Sequence, residues 1–308
     1  DLSQFNNIVA SSEQQLRILC EEGGIDMAKK GVLIESFERR EMKFILNKEQ
    51  FEGILDSLLN YMEIDDYSAQ TGYYPISNIY YDTPNDQLIR TSIKKPPYKE
   101  KLRMRSYGTP KNMDTMVFVE IKKKYNKIVG KRRIMLPLRY AYDYLETGYL
   151  PNTMTLNDQI VRELDYFRTR YELLPKVYLS YDRKALAGIE DPNFRVTFDK
   201  NITVRREDVR LESGSYGRQL LPEDTWIMEI KVADAMPLWC VRILSEFHAY
   251  KGSFSKYGTE YLQYVQEEIN KTKHIVDKNG TILDHFDVVP EQTEDKKIIA
   301  LKKVKEVG

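Results

Sequence analysis

Cysteine is nearly missing from this 308-residue chain: Cys20 and Cys240 are the only two, and they stand far apart. That excludes a disulfide framework and a CxxC metal knuckle, and it points to a reducing, cytoplasmic setting. Histidine is as scarce. His248, His274 and His285 show no ligand spacing, which argues against a zinc centre. No apolar run approaches the ~18–20 residues that span a bilayer, and the N-terminus lacks a charged-then-apolar leader. A surplus of one charge is absent too, since Lys plus Arg and Asp plus Glu both total 47. A nucleic-acid coat would show a basic surplus, so no nucleic-acid partner is expected. There is no Walker A loop, because Gly130-Lys131 lacks the earlier Gly and the following Ser or Thr. GxGxxG, a GxSxG elbow and a Cys/His nucleophile pairing are missing as well.

What is present is charge laid out with a period of two. The chain is 42% hydrophobic, enough for a real core, and 31% charged, above the usual quarter. In Lys101-Leu102-Arg103-Met104-Arg105, alternation along a strand puts Lys101, Arg103 and Arg105 on one face and Leu102 and Met104 on the other. Like charges on one strand face repel unless an anion sits among them. Phe118–Lys124 repeats the scheme, with Glu120, Lys122 and Lys124 on one face. Phe194–Asp199 and Met228–Val232 do so again, and Glu41 and Lys43 share a face in Glu38–Leu46. Strands with one apolar and one charged face predict a sheet curled around a charged interior. Parallel strands buried on both faces would read as continuous apolar runs. The expected class is therefore α+β, with a mainly antiparallel sheet and helices packed around it.

Along the chain, residues 1–30 read as an extension, with a short helix near Ser12–Glu22 stopped by Gly23-Gly24. Residues 31–270 form the compact domain and 271–308 a polar tail with at most one short hairpin. Asn47-Lys48-Glu49-Gln50 has the form of a capping box. It precedes an apolar stripe at helical spacing, Phe51, Ile54, Leu55, Leu58, Leu59 and Met62. Further strands are expected at Asn78–Asp82, Lys101–Lys124 (a hairpin), Val129–Ile134, Lys176–Asp182, Phe194–Asp199 and Trp226–Val232. Helices are expected near Tyr140–Glu146, Asn157–Tyr171, Leu238–Tyr250 and Thr259–Ile269. Tyr73-Tyr74 and Tyr80-Tyr81 read as sheet packing.

The inward set comprises the cations Lys43, Lys101, Arg103, Arg105, Lys122, Lys124, Arg195 and Lys231 and the anions Glu41, Glu120 and Glu229, with Arg183 just past a strand. Guanidinium forks bind phosphate oxygens in pairs, and lysines supply point charges. The few carboxylates, Glu41, Glu120 and Glu229, would hold Mg²⁺ or Mn²⁺, which favours oxygen and keeps substrate phosphates in its shell. Such a site positions phosphates and neutralises the charge of a leaving oxygen. Taken alone, a Glu-x-Lys pair such as Glu229/Lys231 is ordinarily a cross-strand salt bridge.

Eight stretches in order resemble the VTC domain, the polyphosphate polymerase module of the vacuolar transporter chaperone complex and its bacterial relatives, within the triphosphate tunnel metalloenzymes. They are Arg40–Phe44, Ile79–Asp82, Lys101–Arg105, Val119–Lys122, Ser180–Arg183, Phe194–Asp199, Ile227–Lys231 and Phe254–Gly258, spanning roughly residues 37–260. The resemblance implies a closed antiparallel β-barrel tunnel and metal-dependent transfer of the ATP γ-phosphate to a growing inorganic polyphosphate chain. It implies that Lys43, Arg103, Arg105, Lys122, Arg183 and Arg195 line the phosphate path, with Arg90 a further basic match and Lys231 beside them. Glu229 would be a metal ligand, and Lys256 the late lysine that approaches the transferred phosphate. Two positions depart from the pattern. Ser253 stands where fungal members carry a second lysine, leaving Lys251 the nearest substitute, and Arg39 interrupts the ExExK motif of other tunnel enzymes. A tunnel triphosphatase or polyphosphatase, and a catalytically weak module binding nucleotide or polyphosphate, are the alternatives. With no SPX-like segment and no membrane span, export would fall to separate membrane proteins.

Overall fold

A computed structural model describes residues 40–273 apart from 127, 153, 155 and 234. The expected N-terminal helix and most of the C-terminal tail lie outside the described residues. Contacts divide the chain into two compact units, Asp1–Tyr261 and Leu262–Gly308. The sheet and the site belong to the first.

The described residues form one sheet of eleven strands. The strands are β1 (Arg40–Leu46), β2 (Met62–Ile64), β3 (Tyr74–Asp82), β4 (Tyr98–Tyr107), β5 (Met116–Tyr125), β6 (Ile128–Pro137), β7 (Leu174–Gly188), β8 (Arg195–Arg205), β9 (Arg218–Gln219), β10 (Trp226–Val232) and β11 (Lys251–Gly252). The helices are α1 (Lys48–Leu58), α2 (Asp66–Thr71), α3 (Gln87–Ile93), α4 (Leu138–Thr147), α5 (Asp158–Arg170), α6 (Leu238–Glu246) and α7 (Lys256–Lys273). Strand order is β11-β1-β10-β8-β7-β3-β4-β5-β6, with β2 on β7 and β9 on β8. The pairings are antiparallel throughout.

Two apolar clusters cover the outside of the sheet. Phe44 and Leu46 of β1, Val196 and Phe198 of β8 and Met228 and Ile230 of β10 pack under α1 and α6. Leu102 and Met104 of β4, Val117, Val119 and Ile121 of β5 and Ile134 and Leu136 of β6 pack under α4 and α5. Both clusters use the strand positions between the charged ones, as alternation requires. The capping box forms: Gln50 N donates to Asn47 Oδ1 at 2.9 Å and Asn47 N to Gln50 Oε1 at 3.2 Å. Gln50 Nε2 also donates to the Phe247 carbonyl at 3.0 Å, tying α1 to the end of α6. Ile54 and Leu58 of α1 are 0% and 1% exposed, each worth roughly 1.5–3 kcal/mol on burial.

The sheet is curled, but no pairing between β6 and β11 or β1 closes it among the described residues. A curved, tunnel-like antiparallel sheet fits the expected class all the same, its two ends approaching without a further ladder. Side chains meet where strands do not: Lys122 Nζ of β5 donates to Glu41 Oε2 of β1 at 3.4 Å, although the two strands lie toward opposite ends of the order. Long cationic side chains can bridge such a gap, whereas a further ladder would draw the walls to strand spacing, ~4.8 Å.

Candidate phosphate site on the charged face of the sheet

Three carboxylates organise the cations on the inner face. Glu120 of β5 is 1% exposed. Arg103 Nε donates to its Oε2 at 2.7 Å, Lys131 Nζ lies 2.7 Å from Oε1, and Arg105 Nε stands 3.9 Å away. Burial pushes this carboxyl up, but Lys131, Arg103 and Arg105 outweigh it and hold it well below the usual range. Glu229 of β10 has looser company, with Lys43 and Lys231 each 3.5 Å from one oxygen. It too is held well below the usual range, burial being outweighed by Lys231 and Lys43. Asp199 of β8 is fully buried, accepting from Arg183 at 2.7 and 2.9 Å and from Lys256 Nζ at 2.6 Å.

Arg105 is aimed by neutral groups: its Nε donates to Asn78 Oδ1 at 2.9 Å and its Nη2 to the Tyr181 hydroxyl at 3.1 Å. Arg103 Nη1 reaches the Tyr80 hydroxyl at 3.5 Å. Tyr80 is therefore more than sheet packing. Its ring stacks on Tyr257 at 4.7 Å while its hydroxyl faces the cations. Burial pushes the Tyr80 phenol up, but Arg103 and Lys101 bring it below its ordinary value.

The first turn of α7 completes the arrangement. Ser255 caps it, accepting from Gly258 N at 3.2 Å. A Cβ on Gly258 would stand only 3.1 Å from Ser255 Oγ, so the small residue leaves the cap room. Ser255 Oγ also accepts from Lys101 at 3.3 Å. Tyr257 donates to buried Asp82 at 3.0 Å, and Asp82 in turn accepts the Leu88 and Ile89 amides of α3. Glu260 holds Arg206 through bonds of 2.8 and 2.9 Å. Lys256 thus projects inward from a helix start pinned on two sides.

Of the residues singled out in the sequence, Lys43, Arg103, Arg105, Lys122, Arg183, Lys231, Lys256, Glu120 and Glu229 meet in this network. Arg195 shares the Thr197 and Asp199 face of β8, across from Lys231, and its Nε donates to the Pro192 carbonyl at 3.4 Å. Arg90 lies off the strands, in the last turn of α3, a helix that packs against β3 and β4. Lys251 is exposed and pairs with Phe44, whose side chain belongs to the outer core, so it does not replace the lysine absent at Ser253. Sequence reasoning passed over Asp199, Lys131, Asn78, Tyr80 and Tyr181. The parity of Asp199 with Arg195, and of Lys131 with Arg133, was the available signal.

A family model for the VTC domain matches residues 38–265. The chain belongs to the VTC domain family. Solved structures similar to this VTC domain include a putative adenylate cyclase from Vibrio parahaemolyticus, 11% identical over 72% of this chain and 97% of that one, TM-score 0.40. Another from Bacillus halodurans is 15% identical over 71% and 95%, TM-score 0.43. A third, from Hippeastrum, described as a putative adenylyl cyclase with a dominant triphosphatase activity, is 14% identical over 70% and 92%, TM-score 0.42.

Among the described residues no helix is long and apolar enough to cross a membrane. No group of three or more His, Cys, Asp or Glu that could hold a metal occurs among them. A divalent ion would therefore rest on few protein oxygens and take the remainder from phosphates and water, the usual habit of Mg²⁺. The Glu229 oxygens are held more loosely by their ion pairs, to Lys43 and Lys231 at 3.5 Å, than those of Glu120 and Asp199.

Proposed function

We propose that this VTC domain is a metal-dependent polyphosphate polymerase that transfers the γ-phosphate of ATP to a growing inorganic polyphosphate chain and releases ADP. The observation that carries this reading is the convergence of cations from β1, β4, β5, β7, β10 and α7 around four buried or half-buried carboxylates, Glu41, Glu120, Asp199 and Glu229. The carboxylates of that face are engaged by cations, which suits holding phosphates rather than covalent chemistry, and the acceptor in this reading is the end phosphate of the chain. Catalysis is then positioning and charge stabilisation.

Arg103 and Arg105 grip the nucleotide's phosphate tail, their planes set by Glu120, Asn78 and Tyr181. Lys43, Lys122 and Lys231 hold the neighbouring phosphates, with Arg90 a further contact. Lys256, Arg183 and Arg195 meet the phosphate in transfer and balance its charge as the bridging oxygen departs. Glu229 would hold Mn²⁺ or Mg²⁺, with Glu120 supporting the site through the cations that it anchors. The ion would supply charge neutralisation to the phosphate oxygens. The partners are ATP and inorganic polyphosphate, with any membrane protein a separate chain.

Incubating the protein with ATP and Mn²⁺ and sizing the products tests the reading. Long chains together with ADP are expected. Free phosphate alone would assign hydrolysis instead, and unchanged ATP a binding module.

A further inference from the structure

Asp199 is engaged by short bonds from a strand and from the start of a helix. Arg183 of β7 donates two, and Lys256 of α7 a third at 2.6 Å. The carboxylate is 0% exposed, while the Arg183 and Lys256 side chains are 10% and 12% exposed. Both cations therefore touch the open face while their charged ends are turned onto a buried anion. Lys256 Nζ also lies 4.5 Å from the centre of the Tyr181 ring, and Tyr181 in turn accepts from Arg105. Burial pushes the Asp199 carboxyl up, but Arg183 and Lys256 outweigh it and hold it near 2, so it is ionised.

A carboxylate accepting a guanidinium fork and an ammonium has the geometry of a phosphate edge. We propose that Asp199 is a positioning residue that stands in for substrate phosphate: it keeps Arg183 and Lys256 in register and yields Lys256 to the incoming phosphate. The inference rests on the reading of Lys256 and Arg183 as groups that meet the transferred phosphate. Holding the pair in this way keeps two cations beside each other without repulsion before substrate binds. It also opposes binding, because Lys256 must leave one anion to reach another.

Affinity and turnover should consequently move in opposite directions. In Asp199→Asn the internal competitor is gone and the site has one more net positive charge. Tripolyphosphate, titrated calorimetrically in chelator so that nothing turns over, should bind about tenfold tighter. Turnover of ATP with Mn²⁺ should fall about a hundredfold, because the two cations lose their register. The gain in affinity should vanish in Asp199→Asn/Lys256→Ala, which closes a double-mutant cycle on the pair. Weaker binding by a cooperatively melting Asp199→Asn protein would overturn the proposal, and so would a gain that persists without Lys256. Should Asp199→Asn fail to melt cooperatively, Asp199→Glu decides. It keeps the charge but displaces it, so turnover should fall while affinity stays within about twofold, and unaltered turnover would sink the idea. A protein that releases only free phosphate from ATP would refute the polymerase reading and leave these affinity shifts to be judged on their own.

Discussion

Glu120 and Glu229 carry the same charge on the same sheet face, yet their surroundings suit them to different work. Glu120 is gripped at 2.7 Å by Arg103 and again by Lys131, so a metal would have to displace both. The ion pairs of Glu229, to Lys43 and Lys231, are longer at 3.5 Å, and its side chain is 12% exposed against 2% for Glu120. Glu229→Gln is therefore expected to abolish metal-dependent turnover while leaving the thermal melt within a few degrees. Full activity in that variant would remove Glu229 from the metal role. Lys256 gives the complementary case. It is one cation among many for holding phosphate, but the one that α7 delivers beside Arg183. Lys256→Ala should lower turnover about a hundredfold or more and weaken nucleotide binding by less than about tenfold. Comparing kcat with the dissociation constant of ATP checks this, and equal losses in both would make Lys256 a general phosphate contact.

Strands β4 and β5 are where the sequence was most legible and where the tension between stability and binding is greatest. Alternation alone puts Leu102 and Met104 outside and Lys101, Arg103 and Arg105 inside, and the two outer clusters bear that out. The register adds what alternation could not: Lys99 faces Lys124, Lys101 faces Lys122, and Lys122 faces Lys131. Such like-charged pairs are destabilising. Burial, with Lys99, Lys122 and Lys43 nearby, pushes the Lys101 ammonium down from 10.5 to about 8, against the favourable pull of Tyr80. Because the folded value lies below the unfolded one, the charged form costs stability. That cost is fully present below about pH 8 and is relieved as pH rises toward 10.5. Lys101→Met should accordingly raise stability at pH 7 by about 1 kcal/mol, ~2–4 °C in Tm, and weaken tripolyphosphate binding. The stability gain should shrink above pH 8 in melts run across the range, and a variant that melts lower at pH 7 would contradict the assignment. Other elements were illegible for local reasons. Helix α3 is short, and its first three amides are held by Thr83 and Asp82, four to seven residues upstream, rather than by the residue just before it, Asp86. Strand β7 runs through an irregularity between Ser180 and Asp182 to Gly188, past the point where alternation breaks.

For the whole molecule, the class and the charged interior followed from alternation, whereas the strand order did not. Neighbours such as β1 with β10 and β3 with β7 are joined by packing over long sequence separations, which no local pattern encodes. How the tunnel walls meet was equally hidden, because a sheet bridged by side chains and one closed by a ladder share the same inside-outside periodicity. The consequence is a molecule whose two outer cores hold a wall of mutually repelling cations. Its open sides are bridged by partly exposed contacts such as Lys122–Glu41, at 43% and 27% exposure, worth at most about 1 kcal/mol. Multivalent anions should therefore act as a missing structural part. Tripolyphosphate at about 100 times its dissociation constant should stabilise the fold by ~2.7 kcal/mol. Sulfate should raise Tm more than chloride at equal ionic strength, beyond its general salting effect, because it can bridge cations across the opening as well as screen them. Replacing Arg103 and Arg105 together with Gln should remove most of the tripolyphosphate shift. Thermal melts of the two proteins in chloride, sulfate and tripolyphosphate measure this directly, and an equal shift in both would mean that the anions act elsewhere on the surface.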